Sequence, residues 1–484
     1  MLLAALILVP ALGAAGAYGA GRATRPGAWL VTVAAIHLLL VASAWVSTPA
    51  PILDGWLALD ALGLTVLSVV SALFLVVATY AVGYLRRERA RRGFASWLLA
   101  FLATASLVAV SHHLALLWVG MEGTTLALAP LIFQRRDRRS LEAVWKYLVI
   151  SSVGIALALL GTFFLATAQG DLAPGSGLRP LVLEDLLRGA AQLHPAWLKA
   201  AFIFLLVGYG TKLGLAPMHT WKPDTYGESP GLVAALMAGG LTSCAFLGIA
   251  RATQVAMAAG LAPFVRPPLF AFGLLSLAVA AAFVIGQTDV KRLLAYSSVE
   301  HVGLLVLGLG LGGVGAYGSV LHLVNNALAK GFLFLAAGNA ALAAGSGPAP
   351  SGSPEGAGGG LLRTLPASGF LLLIGLFAVT GSPPFGMFLS ELTILRAAWG
   401  NGHPWIAAVT LALLALIFIG IAATILQLLY GPGRPGARRA RESGWLITGP
   451  AVLALAALAL GVIIPGPLQD LLARAATALG GAVP

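Results

Sequence analysis

Long apolar runs recur along almost the whole of this 484-residue sequence and constrain it more than any other feature. They fall at about 1–20, 28–46, 61–83, 95–111, 114–133, 147–168, 199–215, 231–250, 268–286, 293–310, 316–343, 366–399, 405–430 and 445–465. A helix needs roughly 20 apolar residues to cross the hydrocarbon of a bilayer. Inside that hydrocarbon, backbone groups must be satisfied within the helix itself. The runs therefore predict an all-α, polytopic integral membrane protein of about fourteen transmembrane helices. Only 10% of residues are charged, which excludes an ordinary soluble globule. Met1 to Ala20 has small residues like a signal peptide but no basic start and a full-length apolar stretch, so a retained first span is expected.

The charge distribution agrees. The formal net charge of +12 would suit a nucleic-acid partner if it were clustered, but it follows the loops instead. Arg22, Arg25, Arg86, Arg87, Arg89, Arg91, Arg92, Arg135, Arg136, Arg138, Arg139, Lys222, Lys291, Arg292, Arg363, Arg434, Arg438, Arg439 and Arg441 lie on alternate loops. The opposite loops and helix ends hold only Arg179, Arg188, Lys199, Arg251, Arg266, Arg396 and Arg474. By the positive-inside rule the richer loops are cytoplasmic, in an inner (plasma) membrane, and both termini lie on the outer face. No nucleic acid is expected as a partner.

Two loops are longer. Residues 169–198 contain Leu181-Val-Leu-Glu-Asp-Leu-Leu, which predicts a short amphipathic helix on the outer face. Residues 344–362 are rich in Gly, Ser and Pro and read as a flexible cytoplasmic linker. The single cysteine, Cys244, cannot form an internal disulfide or ligate a cluster alone. No cofactor is expected on this chain. His112-His113 lacks further metal-ligand spacing, and the Gly-rich Gly308–Gly315 ends a membrane helix rather than opening a βα turn.

Ionisable residues inside the apolar runs carry the functional signal, because a lysine at the bilayer centre costs roughly 2.5–3.5 kcal/mol on insertion scales. Glu122 lies in span five, where a carboxylate needs a partner or a proton; a static ion pair is the alternative. Lys146, in span six, reads either as an interfacial i,i+4 partner of Glu142 or as a buried partner of Glu122. Lys212 lies in span seven beside a break made by glycines and Pro217, with His219 just beyond. Span ten carries Glu300 next to His301. In span eleven His322, Asn326 and Lys330 are spaced i, i+4, i+8 on one helix face, as a proton wire would be. Interhelical hydrogen bonding would explain the asparagine but not the lysine. Span twelve breaks at Pro383-Pro384, and Glu391 follows.

The order acid, lysine, charged break thus occurs twice, in spans five to seven and ten to twelve. Two five-span units of odd count are necessarily inverted, the arrangement transporters use to build midplane sites at discontinuous helices. The chain divides into helices one to three (1–94), a first repeat (95–252), a second repeat (266–430) and a last helix with its tail (431–484).

These residues resemble the antiporter-like membrane subunits of complex I, multi-subunit Na⁺/H⁺ antiporters and group 4 hydrogenases, the proton-conducting membrane transporter family. Glu122, Lys212, Lys330 and Glu391 stand where that family carries an acid in span five, lysines in spans seven and eleven, and a charge in broken span twelve. Leu215-Ala-Pro-Met-His-Thr-Trp-Lys-Pro-Asp and Asp289-Val-Lys-Arg-Leu-Leu-Ala-Tyr-Ser-Ser look like its signature loops, and the similarity covers about 55–430. Ser140-Leu-Glu-Ala-Val-Trp-Lys-Tyr-Leu and Tyr296-Ser-Ser-Val-Glu look most like the hydrogenase-4 component F type.

The resemblance implies proton (or Na⁺) translocation through Glu122, Lys146, Lys212, His219, Glu300, His322, Lys330 and Glu391. It implies other membrane subunits and a peripheral redox arm as partners, with flavin, iron–sulfur or nickel–iron centres in those partners only. A non-pumping membrane anchor is the remaining alternative. The chain departs from the family in span eight, where a lysine or histidine is often found and only Thr242 and Ser243 are present. With little sequence after span fourteen, the long lateral helix of the most distal complex I subunit is not expected.

Overall fold

The structure, a computed structural model, describes residues 1–19, 26–88, 93–170, 179–344, 360–432 and 439–480. Among these there are no strands, only isolated β-bridges between loops. The first six helices are α1 (Leu2–Gly19), α2 (Pro26–Val46), α3 (Ala61–Arg87), α4 (Phe94–Val110), α5 (Leu114–Ile132) and α6 (Arg138–Gln169). The short α7 (Leu183–Arg188) is followed by α8 (Pro195–Leu213) and α9 (Trp221–Glu228). Next come α10 (Gly231–Leu236) and α11 (Thr242–Ala258), joined by a π-turn at Met237–Leu241. The second half holds α12 (Ala262–Val284), α13 (Val290–Leu311), α14 (Val314–Ala344), α15 (Leu361–Thr364), α16 (Pro366–Val379) and α17 (Gly386–Gly400). It ends with α18 (Pro404–Tyr430), α19 (Gly444–Val462) and α20 (Gly466–Ala478).

Twelve helices among the described residues are long and apolar enough to cross a membrane. Two shorter apolar helices, Phe94–Val110 and Pro366–Val379, stand where the sequence places spans four and twelve. Length is the physical reason for the difference: α16 ends at the Pro383-Pro384 break after 14 residues, and α17 continues beyond it. The amphipathic helix expected in 169–198 is α7, with Leu183 and Leu186 buried and Glu184 and Arg188 exposed. Sequence reasoning missed α20, which buries Leu471, Leu472, Ala475 and Ala476 against α3 and α14. Most of the expected linker, and the loop residues Arg22, Arg25, Arg89, Arg91, Arg92, Arg434 and Arg438, lie outside the described residues.

Burial is strongly graded. The unit that starts at Gly231 is buried from there through Ala256, and α13 and α14 are nearly so. By contrast α1, α2, α18 and α19 show most of their surface outward, with exposed Leu12, Leu39, Ile419 and Leu455 suited to lipid. The innermost helices are the ones that carry Glu300, His322 and Lys330, so protein rather than hydrocarbon surrounds them. Small residues allow close packing between α6 and α8. A Cβ added at Gly208 would lie 2.5 Å from the Ala158 amide nitrogen, and one at Gly154 would lie 2.6 Å from Thr211 Cβ.

Helix starts at the membrane edge are capped by aspartates. Asp60, Asp137 and Asp289 accept from the amides of Gly63, Ser140 and Arg292 at 2.9, 2.7 and 2.9 Å. Asp60 has a second task. Arg251, 1% exposed, donates to both its oxygens at 2.6 and 2.7 Å and so ties α11 to the start of α3. Burial alone would raise the Asp60 carboxyl, but the Arg251 guanidinium outweighs it and holds the group well below the usual carboxylate range. Its stabilisation is fully present above the ordinary carboxylate pKa of about 4 and is lost as pH falls through the depressed value. Asp60→Asn is therefore expected to lower the melting temperature in detergent at pH 7. The gap from the parent protein should close as the pH is taken below about 4; a gap independent of pH would contradict this account.

Candidate functional site: a buried row of ionisable side chains

The first cluster forms where α5, α6 and the end of α8 meet. Lys212 is 1% exposed, and its ammonium donates to the hydroxyl of Thr125 and, at 3.4 Å, to that of Tyr147. The ammonium also lies 4.9 Å from the Tyr147 ring centre. Thr125 in turn donates to Glu122 Oε2 at 3.2 Å. One hydroxyl, accepting from the lysine and donating to the acid, therefore joins the two sequence-predicted groups. Thr125→Val removes this bridge while leaving both charges and the side-chain volume in place. Losing this one hydrogen-bonded link is expected to lower proton flux roughly tenfold without changing assembly, measured in reconstituted vesicles.

Lys146 lies elsewhere. It is part-exposed, and its ammonium pairs with Glu142 at 2.7 Å and Asp224 at 2.6 Å. The structure does not bring it to Glu122. Of the two readings open from sequence, the interfacial pair is the one present, with Asp224 on α9 as an additional partner.

At the first break, α8 stops on Gly214, which adopts a left-handed conformation with φ +79°. The Ala216–Pro217 peptide is cis, and the Ala216 amide donates to Ser276 on α12 at 3.0 Å. Trp221 donates to the Thr211 carbonyl at 2.8 Å, tying the start of α9 to the end of α8, while α9 itself packs against α6 and α13. His219 is buried, with its ring 6.4 Å from that of Tyr296 on α13. Lys222, which the loop pattern assigns to the basic face, is fully buried instead. α9 carries Lys222 into the protein rather than into a solvent-exposed loop.

The second cluster lies on α13, α14 and α17. Lys330 is fully buried and donates to the Leu294 carbonyl at 3.2 Å. Glu300 is buried within electrostatic reach of Lys330, and its carboxylate accepts from Ser297 at 3.1 Å. The rings of His301 and His322 are 5.2 Å apart, so the imidazole of α13 meets that of α14. His322 Nδ1 shares a 2.9 Å hydrogen bond with Ser390, whose neighbour is Glu391. Asn326, between His322 and Lys330, reaches the Ala238 carbonyl of the π-turn at 3.4 Å. π-turns open the helix ladder and are frequent at functional sites.

At the second break, the Pro383–Pro384 peptide is cis and Gly381 has φ +60°. The Glu391 carboxylate occupies the space a Cβ on Gly381 would need, 2.0 Å from Oε2. Its other oxygen, buried, has no hydrogen-bond partner among the described residues. Asn325 donates to the Gly386 carbonyl at 2.9 Å and holds the start of α17. Spatially, then, Glu122 and Lys212 form one group, and Glu300, His322, Lys330 and Glu391 another. Sequence reasoning missed the hydroxyls of Thr125, Tyr147 and Ser390, since Ser and Thr in membrane helices ordinarily bond their own helix carbonyls.

Comparison with known proteins gives concordant results. The family model described as "NADH:quinone oxidoreductase/Mrp antiporter, TM" matches residues 111–417, which include both clusters. A hydrogenase-4 component F homolog of Methylacidiphilum infernorum is 35% identical over 339 residues, covering 70% of this chain and 69% of the relative. NADH-quinone oxidoreductase subunit 14 of Thermus thermophilus is 32% identical over 417 residues, covering 82% of this chain and 84% of the relative. A chain of the membrane-bound sulfane sulfur reductase, an archaeal respiratory membrane complex, shares the fold with a TM-score of 0.87 at 23% identity, covering 99% of this chain and 97% of that one.

Proposed function

Because the chain belongs to the NADH:quinone oxidoreductase/Mrp antiporter transmembrane family, we propose that it moves protons across the membrane along its two buried clusters. It is a multi-pass integral membrane protein and an antiporter-like membrane subunit of the complex I, Mrp or hydrogenase-4 type. The observation that carries the proton reading is the bridge from Glu122 through Thr125 to Lys212.

A change of charge at Glu122 alters the field at Lys212 and, through Thr125, the hydrogen bond that holds its ammonium. Lys212 then loads or releases a proton. The change passes on to Lys330, where Glu300 is the counter-charge and His322 and Ser390 lead to Glu391. His219 and Lys146 sit where protons could be fed toward the first cluster, Lys146 at the exposed edge. The two five-span units act as inverted half-channels of one pathway.

In this reading the chain sits among other membrane subunits of a hydrogenase-like or NADH:quinone oxidoreductase-like complex. Flavin, iron–sulfur or nickel–iron centres belong to its partners, and redox events there bias Glu122. The basic loops are cytoplasmic. Proton uptake by vesicles containing the complex, driven by electron donor and independent of Na⁺, is the expected result. Sodium-dependent dissipation of ΔpH without any donor would instead assign the chain to cation/proton exchange.

A further inference from the structure

We propose that Lys222 on α9 is the proton carrier that links the two half-channels, the position left without a titratable group in span eight. This rests on the proton-pathway reading above and adds one carrier to it.

Lys222 is fully exposed to protein and not at all to solvent, and its ammonium has no hydrogen-bond partner among the described residues. The nearby carboxylate on its own helix, Asp224, is taken by Lys146 at 2.6 Å and Arg292 at 3.3 Å. A buried lysine is ordinarily retained only with a partner that offsets its desolvation. Lys222 has no such ion pair among the described residues, so a static packing role does not account for the charge it carries.

Its position ties it to both clusters. The end of the side chain is folded onto Gly214, two residues beyond Lys212. A Cβ on Gly214 would lie 2.2 Å from Lys222 Cε and 2.9 Å from its Nζ. The ammonium also lies 5.9 Å from the ring centre of Tyr226, one turn along α9, and that ring packs edge-on to Phe334 of α14 at 5.2 Å. Lys222 lies within electrostatic reach of His219, His301 and Lys330. Lys222 therefore communicates with the break that ends Lys212's helix on one side and with the second cluster on the other.

Span eight offers nothing comparable. Thr242 and Ser243 donate their hydroxyls to Met237 and Gly239 carbonyls of their own helix, at 3.2 and 2.7 Å. The elements packed against α9 bring Tyr147 and Lys146 from α6, the first with its ring 5.2 Å from that of Trp221 and the second paired with Asp224, and Lys291 and Arg292 from α13. Lys291 is occupied by the Ser229 carbonyl at 3.1 Å, and Arg292 by Asp224.

The second break repeats the device. There a positive-φ glycine, Gly381, is covered by the carboxyl head of Glu391 from the half-helix after the break. Lys222 stands to Gly214 as Glu391 stands to Gly381. In the transfer itself an N–H bond breaks on Lys212 and one forms on neutral Lys222, which then releases the proton toward Lys330. Net charge is conserved at each step.

The test is proton flux into vesicles holding the assembled complex, read with a pH-sensitive dye under an imposed gradient. Lys222→Gln and Lys222→Arg are both expected to cut flux roughly tenfold or more, with unchanged assembly by size-exclusion chromatography. Arginine keeps the charge but does not release its proton. Lys222→His restores a titratable group and is expected to recover flux with its optimum displaced toward acid, since imidazole binds its proton about 4 units below an ammonium. Parental flux in Lys222→Arg, with flux abolished in Lys212→Ala, would overturn the role of Lys222 and leave the pathway standing. A parental pH profile in Lys222→His would likewise overturn it. Parental flux in Lys212→Ala would remove the pathway and this carrier together.

Discussion

Lys212→Ala is expected to reduce proton flux on the order of 10²-fold, the scale typical for losing a positioned proton-transfer group. The size follows from the geometry. Lys212 is the member of the first cluster that touches both the Thr125 bridge to Glu122 and the Tyr147 hydroxyl. Its helix ends two residues later at Gly214, so the ammonium is placed at the end of α8 and not at mid-helix. Alanine removes the proton-binding group and also leaves a void beside Tyr147. Lys212→Met controls for the void, because it fills similar volume without a proton-binding atom. Both variants should lose flux alike while the complex assembles. Substantial flux in Lys212→Met would show that the amine is dispensable.

Glu391→Gln should have an effect of comparable order, for a different reason. One carboxylate oxygen rests over Gly381 and the other is buried without a partner, while the preceding Ser390 bonds His322. Glutamine keeps the shape, so α17 should stay seated against α14 through Asn325 and Gly386. What is lost is the ability to take up and release a proton at the far end of the row. Flux is expected to fall roughly 10²-fold with little change in melting temperature. A fall in melting temperature matched by normal flux would mark Glu391 as a structural group.

Much of this was readable from the residues because charge inside an apolar run is costly and therefore conspicuous. Lys212, Glu300, Lys330 and Glu391 stand out in hydrophobic surroundings, and the i, i+4, i+8 register of His322, Asn326 and Lys330 places them on one face whatever the partner helix. The apolar runs gave an all-α membrane chain for the same reason. Length failed at the discontinuous elements: α9 has 8 residues and α16 has 14, too few to register as spans. Lys222 was lost there, since Pro217, Pro223 and Asp224 around it have the composition of a loop. Its burial depends on α9 packing against α6 and α13, tertiary contacts with no local signature. Thr125 and Ser390 were hidden differently. A hydroxyl on a membrane helix is common, and only the partner across the interface distinguishes a relay from a helix-internal bond. Lys146 could be read two ways because Glu142 is its neighbour in sequence, whereas Asp224 comes to it through the fold.

The central claim is that buried charges carry protons and do not merely hold helices together. The most direct measurement is donor-driven proton translocation by the assembled complex carrying Glu122→Gln, Lys212→Met, Lys330→Met and Glu391→Gln together. The account predicts an assembled complex whose translocation through this subunit is lost; full translocation would contradict it and leave the chain a membrane anchor for its partners.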